Sequence, residues 1–546
     1  MSWEQLLPPG RVKWERDGRD YCPVWPSEPD VAVIKDIVAS AVPQEEDDFT
    51  VEFLAEGAHH KVYEASHPAW CTTYIFRIAL AVDPRLKVES EMATLLFLKQ
   101  NTSIPAPKPI AWSSYVHEKL GYEWQLLEKL PGVGLNKVRD QVPWEKKEEI
   151  IDTLAGFLVQ LWAPNSRFGS IGSLYTVNTE SPSHHSEKNS PEESVDPLKD
   201  TGSKEESPAK VTVSGTPFHT TVSGELIDPS GDIGPEEGGC PTKDTPPEIS
   251  DPAETVSQEP DNVTKETDEE SGCDESAHLS KDTGYQDSGH DGFTIGPSTD
   301  ASFFSQHRLY LDVSRGPYKS CHDWVAALVQ VEEQYIRASK ALWESRREMT
   351  AEQKAEDWQA LIDELGIDDE DFPDEYDDMI ATCLQYQRAL PLVFPKVEIP
   401  RNDMLPFVLG HSDLDDRNIL VDPETFTITG ILDWEQTCIV PDWYGINCPL
   451  LINTSPPVGN GEPPVPTTYD EDSPDYDFVQ VSERHRWDGQ LLRARFDQTV
   501  EQLLGTKKWR PTTTDDDLKL RFIQGTRELF DYWQRARNNL EYIEED

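Results

Sequence analysis

Basic residues are scarce in this 546-residue chain: 49 Lys and Arg stand against 102 Asp and Glu, a formal net charge of −53. Nucleic acids and anionic membranes are themselves negative, so neither is expected as the main partner; a cationic small molecule or a basic protein stays open. Cysteine is equally thin. The eight residues are scattered without a C-x-x-C or a paired metal-ligand spacing, a pattern that suits a reducing compartment. No run of about 18 apolar residues occurs, so no membrane span is expected. The opening MSWEQLLPPGRVKWERDGRDY mixes both charge signs and lacks an apolar stretch, and neither a secretory nor a transit signal is expected. A cytoplasmic location is the default expectation. The length fits two or three domains, or one two-lobed domain carrying insertions, and the second option fits the pattern below better.

Against these absences stands one dense stretch, residues 410–435, GHSDLDDRNILVDPETFTITGILDWE. It places His411, Asp413 and Asn418 in the order H-x-D-x4-N and closes on Asp433. Asn418 to Asp422 and Phe426 to Asp433 read as two β-rich runs joined at Asp422-Pro423-Glu424-Thr425, a hairpin by composition and spacing. A short hairpin brings its two mouths together, so Asp413, Asn418 and Asp433 can face one small volume. A single Asp or Asn in a hairpin is ordinarily a turn former. Three at this spacing, set among apolar strands, suit phosphoryl transfer: one carboxylate accepts a hydroxyl proton, while an amide oxygen and a second carboxylate hold magnesium on nucleotide phosphates.

The motif H-x-D-L-x3-N followed by I-L-D-W-E resembles the catalytic core of the aminoglycoside phosphotransferase and choline kinase family, which has a protein-kinase-like fold. The resemblance implies an α+β, bilobal architecture: a small N-lobe antiparallel sheet with one helix, and a larger, mainly helical C-lobe. It further implies ATP and Mg2+ as cofactors, with Asp413 as catalytic base, Asn418 and Asp433 as metal ligands and His411 buttressing the loop. The acceptor would be a hydroxyl of a small molecule. Acidic positions after the metal Asp make Glu435 and Asp442 candidates for the substrate side, with capping or surface charge as the plainer reading of each. A protein kinase fits less well, because no D-F-G and no A-P-E occur.

Residues 1–44 form an N-terminal arm of no clear period that ends in a short helix, Val31 to Val42. Residues 45–130 would be the N-lobe. Phe49 to Ser66 alternates around a turn at Glu56-Gly57-Ala58-His59-His60, where a kinase places its nucleotide-covering loop; one glycine, Gly57, is all that loop has. The strand Thr72 to Leu80 contains no Lys. Arg77 sits where the phosphate-pairing Lys of a kinase belongs, and Arg is a planar fork rather than a point charge. The helix Lys87 to Gln100 offers Glu91 as its partner, or Glu89. Ile104-Pro105-Ala106-Pro107-Lys108-Pro109 is a stiff connection that resembles the same family. Tyr122 to Leu130 is the last strand before the hinge, where Glu128, Lys129 and Leu130 would read adenine through backbone groups and Leu420 would floor the pocket.

Residues 131–175 begin the C-lobe with the periodic helix Trp144 to Leu161. Residues 176–291 are an acidic insert with 28 Asp and Glu, 7 Lys and no Arg. Such a stretch cannot bury enough apolar surface to offset its backbone entropy, so it is expected to be disordered and available to a basic protein partner. Phe168 to Tyr175 and Gly292 to Pro297 flank it as short strands expected to pair, which makes it an insertion within one lobe. Both flanks and Arg315 to Trp324 resemble a fungal-type branch of the family. Residues 292–450 hold the helices Trp324 to Trp343 and Met379 to Leu390, an acidic helix running toward Gly366, and a solvated charge run at 367–378. Residues 451–546 contain a Pro-rich acidic loop and two closing helices, Arg484 to Leu504 and Asp515 to Tyr542. Arg77 and the sparse glycine loop also admit a catalytically weak kinase-fold scaffold.

Overall fold

The computed structural model describes residues 12–17, 20–42, 49–117, 119–162, 168–177, 292–347, 375–396, 407–452, 463–469, 473, 475–505, 514–530 and 532–545. The first lobe is built on β3 (Thr50–Glu56), β4 (His60–Ser66), β5 (Tyr74–Ala79), β6 (Pro109–Ser113) and β7 (Glu123–Glu128). They form one antiparallel sheet in the order β3-β4-β5-β7-β6. Alternation along β5 sends Phe76 and Ile78 into an outer apolar layer with Tyr63 and Trp124, while Arg77 and Ala79 face the other way. Phe76 stacks on Trp124 with ring centroids 5.4 Å apart. That outer layer is closed by α1 (Val31–Ala41), whose Asp30 N-cap accepts from the Ala32 amide at 2.8 Å.

Residues 12–17 and 20–30 carry more order than their sequence suggests. β1 (Lys13–Asp17) and β2 (Asp20–Val24) pair as an antiparallel hairpin with Trp14 opposite Pro23. Trp14 is buried in the same cluster as Ile34 and Val38. A buried Trp14 facing a buried Pro23 leaves no period-2 apolar signal to read.

The inner face of the sheet is covered by α2 (Leu86–Asn101). This helix is buried nearly all round, through Lys87, Glu91, Met92, Leu95 and Leu98 among others, because the second lobe covers its other side. It therefore has no polar stripe. β9 (Gly172–Thr176) packs against it from the second lobe.

In the second lobe, β8 (Val133–Gly134), β12 (Ile419–Val421) and β13 (Ile428–Ile431) form one small sheet. β10 (Phe293–Gly296), β9, β14 (Cys438–Pro441) and β11 (Phe407–Gly410) form another in that order. Thr176 pairs with Phe293, so the two flanks of the acidic insert are adjacent strands. The insert from 178 to 291 lies outside the described residues, as does 348–374 with its expected acidic helix. Around these sheets pack α3 (Trp144–Trp162), α4 (Cys321–Arg347), α5 (Glu375–Val393), α6 (Phe478–Leu504), α7 (Thr514–Arg527) and α8 (Trp533–Glu545). The architecture is α+β and bilobal.

Two sequence expectations need correction here. Residues 375–378 of the acidic run belong to α5, because Tyr376 is wholly buried and draws the first turn into the core. The closing segment 515–542 is two helices rather than one. Leu529 and Phe530 are both buried in the turn between α7 and α8, with Phe530 edge-on to Tyr335 at 4.8 Å. Their spacing from Phe522, Ala536 and Leu540 would fit one continuous apolar stripe, so periodicity does not mark the break.

Candidate active site

The segment 410–435 forms the expected hairpin. β12 and β13 pair antiparallel, with Ile419 opposite Ile431. Asp422 shapes the turn, its Oδ1 accepting from the amides of Glu424 at 3.1 Å and Thr425 at 2.8 Å.

Before the hairpin, the loop after β11 is held by its own polar groups. The Asp413 amide donates to His411 Nδ1 at 3.2 Å, and His411 Nε2 donates to the Leu432 carbonyl at 3.1 Å. Those two bonds fix one neutral tautomer, and burial holds the imidazole pKa below its ordinary value. The ring meets Trp434 edge-on at 4.6 Å. His411 is therefore a strut between the loop and the strand end that carries Asp433.

Asn418 lies in the same net. Its Nδ2 donates to the Asp413 carbonyl at 2.8 Å and to Asp413 Oδ2 at 3.1 Å. With both donors directed inward, the amide oxygen is left as the free acceptor, the atom that could ligate a hard cation. The Leu432 amide donates to the Asn418 carbonyl at 2.8 Å, so Asp433 follows a residue tied to both Asn418 and His411. Asp433 itself has φ of 60°. A non-glycine residue in the left-handed region costs on the order of 1 kcal/mol and marks a side chain aimed by its surroundings.

On the opposite wall, Arg77 Nη1 donates to Glu91 Oε1 at 2.5 Å, and Gln125 Nε2 donates to the other Glu91 oxygen at 2.8 Å. Glu89 turns elsewhere, accepting from Ser114 Oγ at 2.8 Å, so Glu91 is the partner of Arg77. Arg77 Nη2 reaches within 3.5 Å of Asp433 Oδ1 and 3.1 Å of His60 Nδ1. One planar fork thus serves three neighbours. Burial opposes the guanidinium charge, but Glu91 and Asp433 together raise its pKa above the ordinary value. For Asp433, burial and the nearby Glu435 carboxylate push the pKa up to about 7, against the pull of Arg77. Its side chain keeps 35% of its surface exposed toward the cleft.

The nucleotide-covering turn is compact: the Gly57 amide donates to the His60 carbonyl at 2.8 Å, and the space where a Gly57 side chain would start is empty within 4 Å. At the hinge, the Glu128 amide donates to the Lys108 carbonyl at 3.0 Å and the Lys129 amide to Thr73 at 2.9 Å. Neither N–H is free for adenine, which narrows the expectation for Glu128 and Lys129 to their carbonyls. Leu130 and Leu420 come together beside Gly430; a Cβ on Gly430 would stand 2.6 Å from Leu130 Cδ1 and 3.2 Å from Leu420 Cδ1.

The two acidic substrate candidates are placed differently from expectation. Asp442 is 5% exposed and opens a short helical turn, its Oδ1 accepting from the Trp443 amide at 2.7 Å. It lines no open surface. Glu435 turns toward the first lobe, with Oε2 3.1 Å from Lys87 Nζ and 3.5 Å from His60 Nδ1. Burial disfavours its charge, yet Lys87 and His60 hold its carboxyl well below the ordinary range. Lys87, His59 and His60 went unread as site residues. The available signals were a histidine pair inside the turn and a lysine one helical turn before Glu91.

The phosphotransferase enzyme family model matches residues 50–167 and 305–444, the two segments flanking the insert. Over those segments the chain is similar to this family. A curated relative, "Altered inheritance of mitochondria protein 9, mitochondrial" of Candida tropicalis, is 28% identical over 136 residues, 23% of this chain. The chain spans only 22% of that relative's length. Among solved structures, aminoglycoside phosphotransferase APH(4)-Ia aligns at TM-score 0.37 and 11% identity, covering 94% of this chain and 97% of that one. Plasmodium vivax ethanolamine kinase aligns at TM-score 0.36 and 10% identity, covering 94% and 87%.

Proposed function

We propose that this chain is a phosphotransferase that transfers the γ-phosphoryl group of ATP to a hydroxyl of a small molecule. The observation that carries the reading is the Asp413–Asn418–Leu432 hydrogen-bond net, which ties the Asp413 carboxylate and the Asn418 amide to the strand end that carries Asp433. These donors fit a hard divalent cation: Asn418 Oδ1 has its partner amide nitrogen committed, and Asp433 is open to the cleft. Asn418 and Asp433 would hold magnesium, which when bound neutralises charge on the phosphates. Asp413 Oδ1 accepts the proton of the attacking hydroxyl, while Asn418 Nδ2 holds the other carboxylate oxygen and so orients the base. Arg77, kept in place by Glu91, supplies fixed positive charge to the phosphates. Leu130, Leu420 and Gly57 border the nucleotide. A cytoplasmic site of action is part of the proposal and is checked by imaging the tagged chain.

Calorimetry of ATP with and without magnesium tests the reading, with wild type beside Asp433→Asn. Binding that requires magnesium and weakens at least about tenfold in the variant is expected, since a ligand carboxylate is lost. A folded wild type that binds no nucleotide overturns it and leaves a kinase-fold scaffold. That second reading draws on Arg77, whose contact with Asp433 already occupies part of the metal-facing carboxylate.

A further inference from the structure

Glu435 was a candidate for the acceptor side of the cleft, yet every contact it makes runs to the opposite lobe. Its carboxylate meets Lys87 Nζ at 3.1 Å, His60 Nδ1 at 3.5 Å and His59 Nδ1 at 3.6 Å. The Lys87 side chain is 1% exposed and also lies 3.2 Å from His60 Nε2. Lys87 stands in the first turn of α2. A cation there is opposed by the positive end of the helix dipole, so helix stability does not explain it. What offsets the burial of its charge is Glu435.

Lys87 and Glu91 are four residues apart and share one face of α2. The helix is thus fixed at two successive turns, through Glu91 to Arg77 on β5 and through Lys87 to Glu435 beyond β13. A helix held at one point can roll about it; held at two it cannot. The same Glu435 touches both histidines of the covering turn, which has only Gly57 to bring its backbone near phosphate. Asp433 and Gln436, on either side, both sit at left-handed φ of 60° and 57°. The backbone there is bent so that Asp433 faces the cleft and Glu435 faces the first lobe.

We propose that Glu435 is a positioning residue: with Lys87 it locks the covering turn, the start of α2 and the Asp433 strand end into one corner that presents a nucleoside triphosphate. Its purpose rests on the proposed phosphotransferase function, whereas the lock itself can be measured without nucleotide. Full-length wild type, Glu435→Gln, Lys87→Met, the double variant and Lys87→Arg are compared by hydrogen exchange of segments 57–62 and 86–91 and by calorimetry with ATP and magnesium. Exchange should quicken in both segments for either single variant. ATP affinity should fall about tenfold in each single variant and no further in the double, because the two substitutions break one interaction. Lys87→Arg should restore both readouts. Unchanged exchange in folded Glu435→Gln, or losses that simply add in the double variant, overturns the proposal. Should Lys87→Met fail to fold, Glu435→Gln and Lys87→Arg decide alone. Faster exchange in a protein whose wild type binds no nucleotide supports the lock and removes the phosphotransferase reading.

Discussion

Glu123 shows what burial does to a single carboxyl. It is 2% exposed, accepts from the Arg85 amide at 2.9 Å, and burial pushes its pKa from 4.5 up to about 7. The folded protein therefore keeps a proton that the unfolded chain releases near its ordinary value. Between those two values the native state binds more protons, so stability falls as pH rises, by about 3 kcal/mol across the window from this group. Replacing Glu123 by Gln preserves the acceptor and removes the titration. Urea midpoints at pH 5 and pH 7.5 should drop more in wild type than in Glu123→Gln, and parallel curves would rule the assignment out. At this scale the sequence was partly legible. Asp413, Asn418 and Asp433 share an unusual spacing, and Arg77 with Glu91 followed from where strand and helix had to sit. Lys87 looked like the solvated end of a helix, and nothing in its neighbours announces a partner 348 residues away. Asp442 misled because a residue that opens a helical turn and a substrate ligand look alike until burial is known.

Elements are pinned by close backbone approaches that only glycine permits. A Cβ on Gly172 would stand 2.3 Å from the Gly296 carbonyl oxygen across the β9–β10 pair. Backbone cannot give way as a side chain can, so Gly172→Ala should cost about 1–3 kcal/mol by chemical denaturation. Gly57→Ala, where nothing lies within 4 Å, should stay within about 0.5 kcal/mol. Equal effects at the two sites would contradict the packing described. Strand alternation and turn chemistry made β3, β4, β5 and the β12–β13 hairpin readable. The β1–β2 hairpin was not, since its buried Trp14 and Pro23 give no alternating apolar pattern. Nor was the break between α7 and α8, because the apolar period runs through the buried Leu529 and Phe530.

For the whole molecule, the insert interrupts the fold without separating its parts. The Val177 amide donates to the Gly292 carbonyl at 2.9 Å, so the chain leaves and re-enters at one place. A short linker in place of 179–290 should keep nucleotide binding and raise stability by up to about 3 kcal/mol, from the smaller entropy of closing a shorter loop. Lower stability would mean that the insert packs on the lobes. Composition marked the insert and its flanks early, because strand-like ends surround a stretch poor in apolar residues. The bilobal fold was legible from the motif order, whereas the joining of the lobes through Glu435, Lys87 and Arg77 depends on distances that no spacing encodes.

The most direct test of the account is ADP formation from ATP and magnesium, with water or an added alcohol as acceptor, in wild type and Asp413→Asn at matched nucleotide occupancy. With the base removed and binding intact, the rate should fall about 10²–10⁴-fold. Turnover by Asp413→Asn equal to that of wild type would contradict the central assignment.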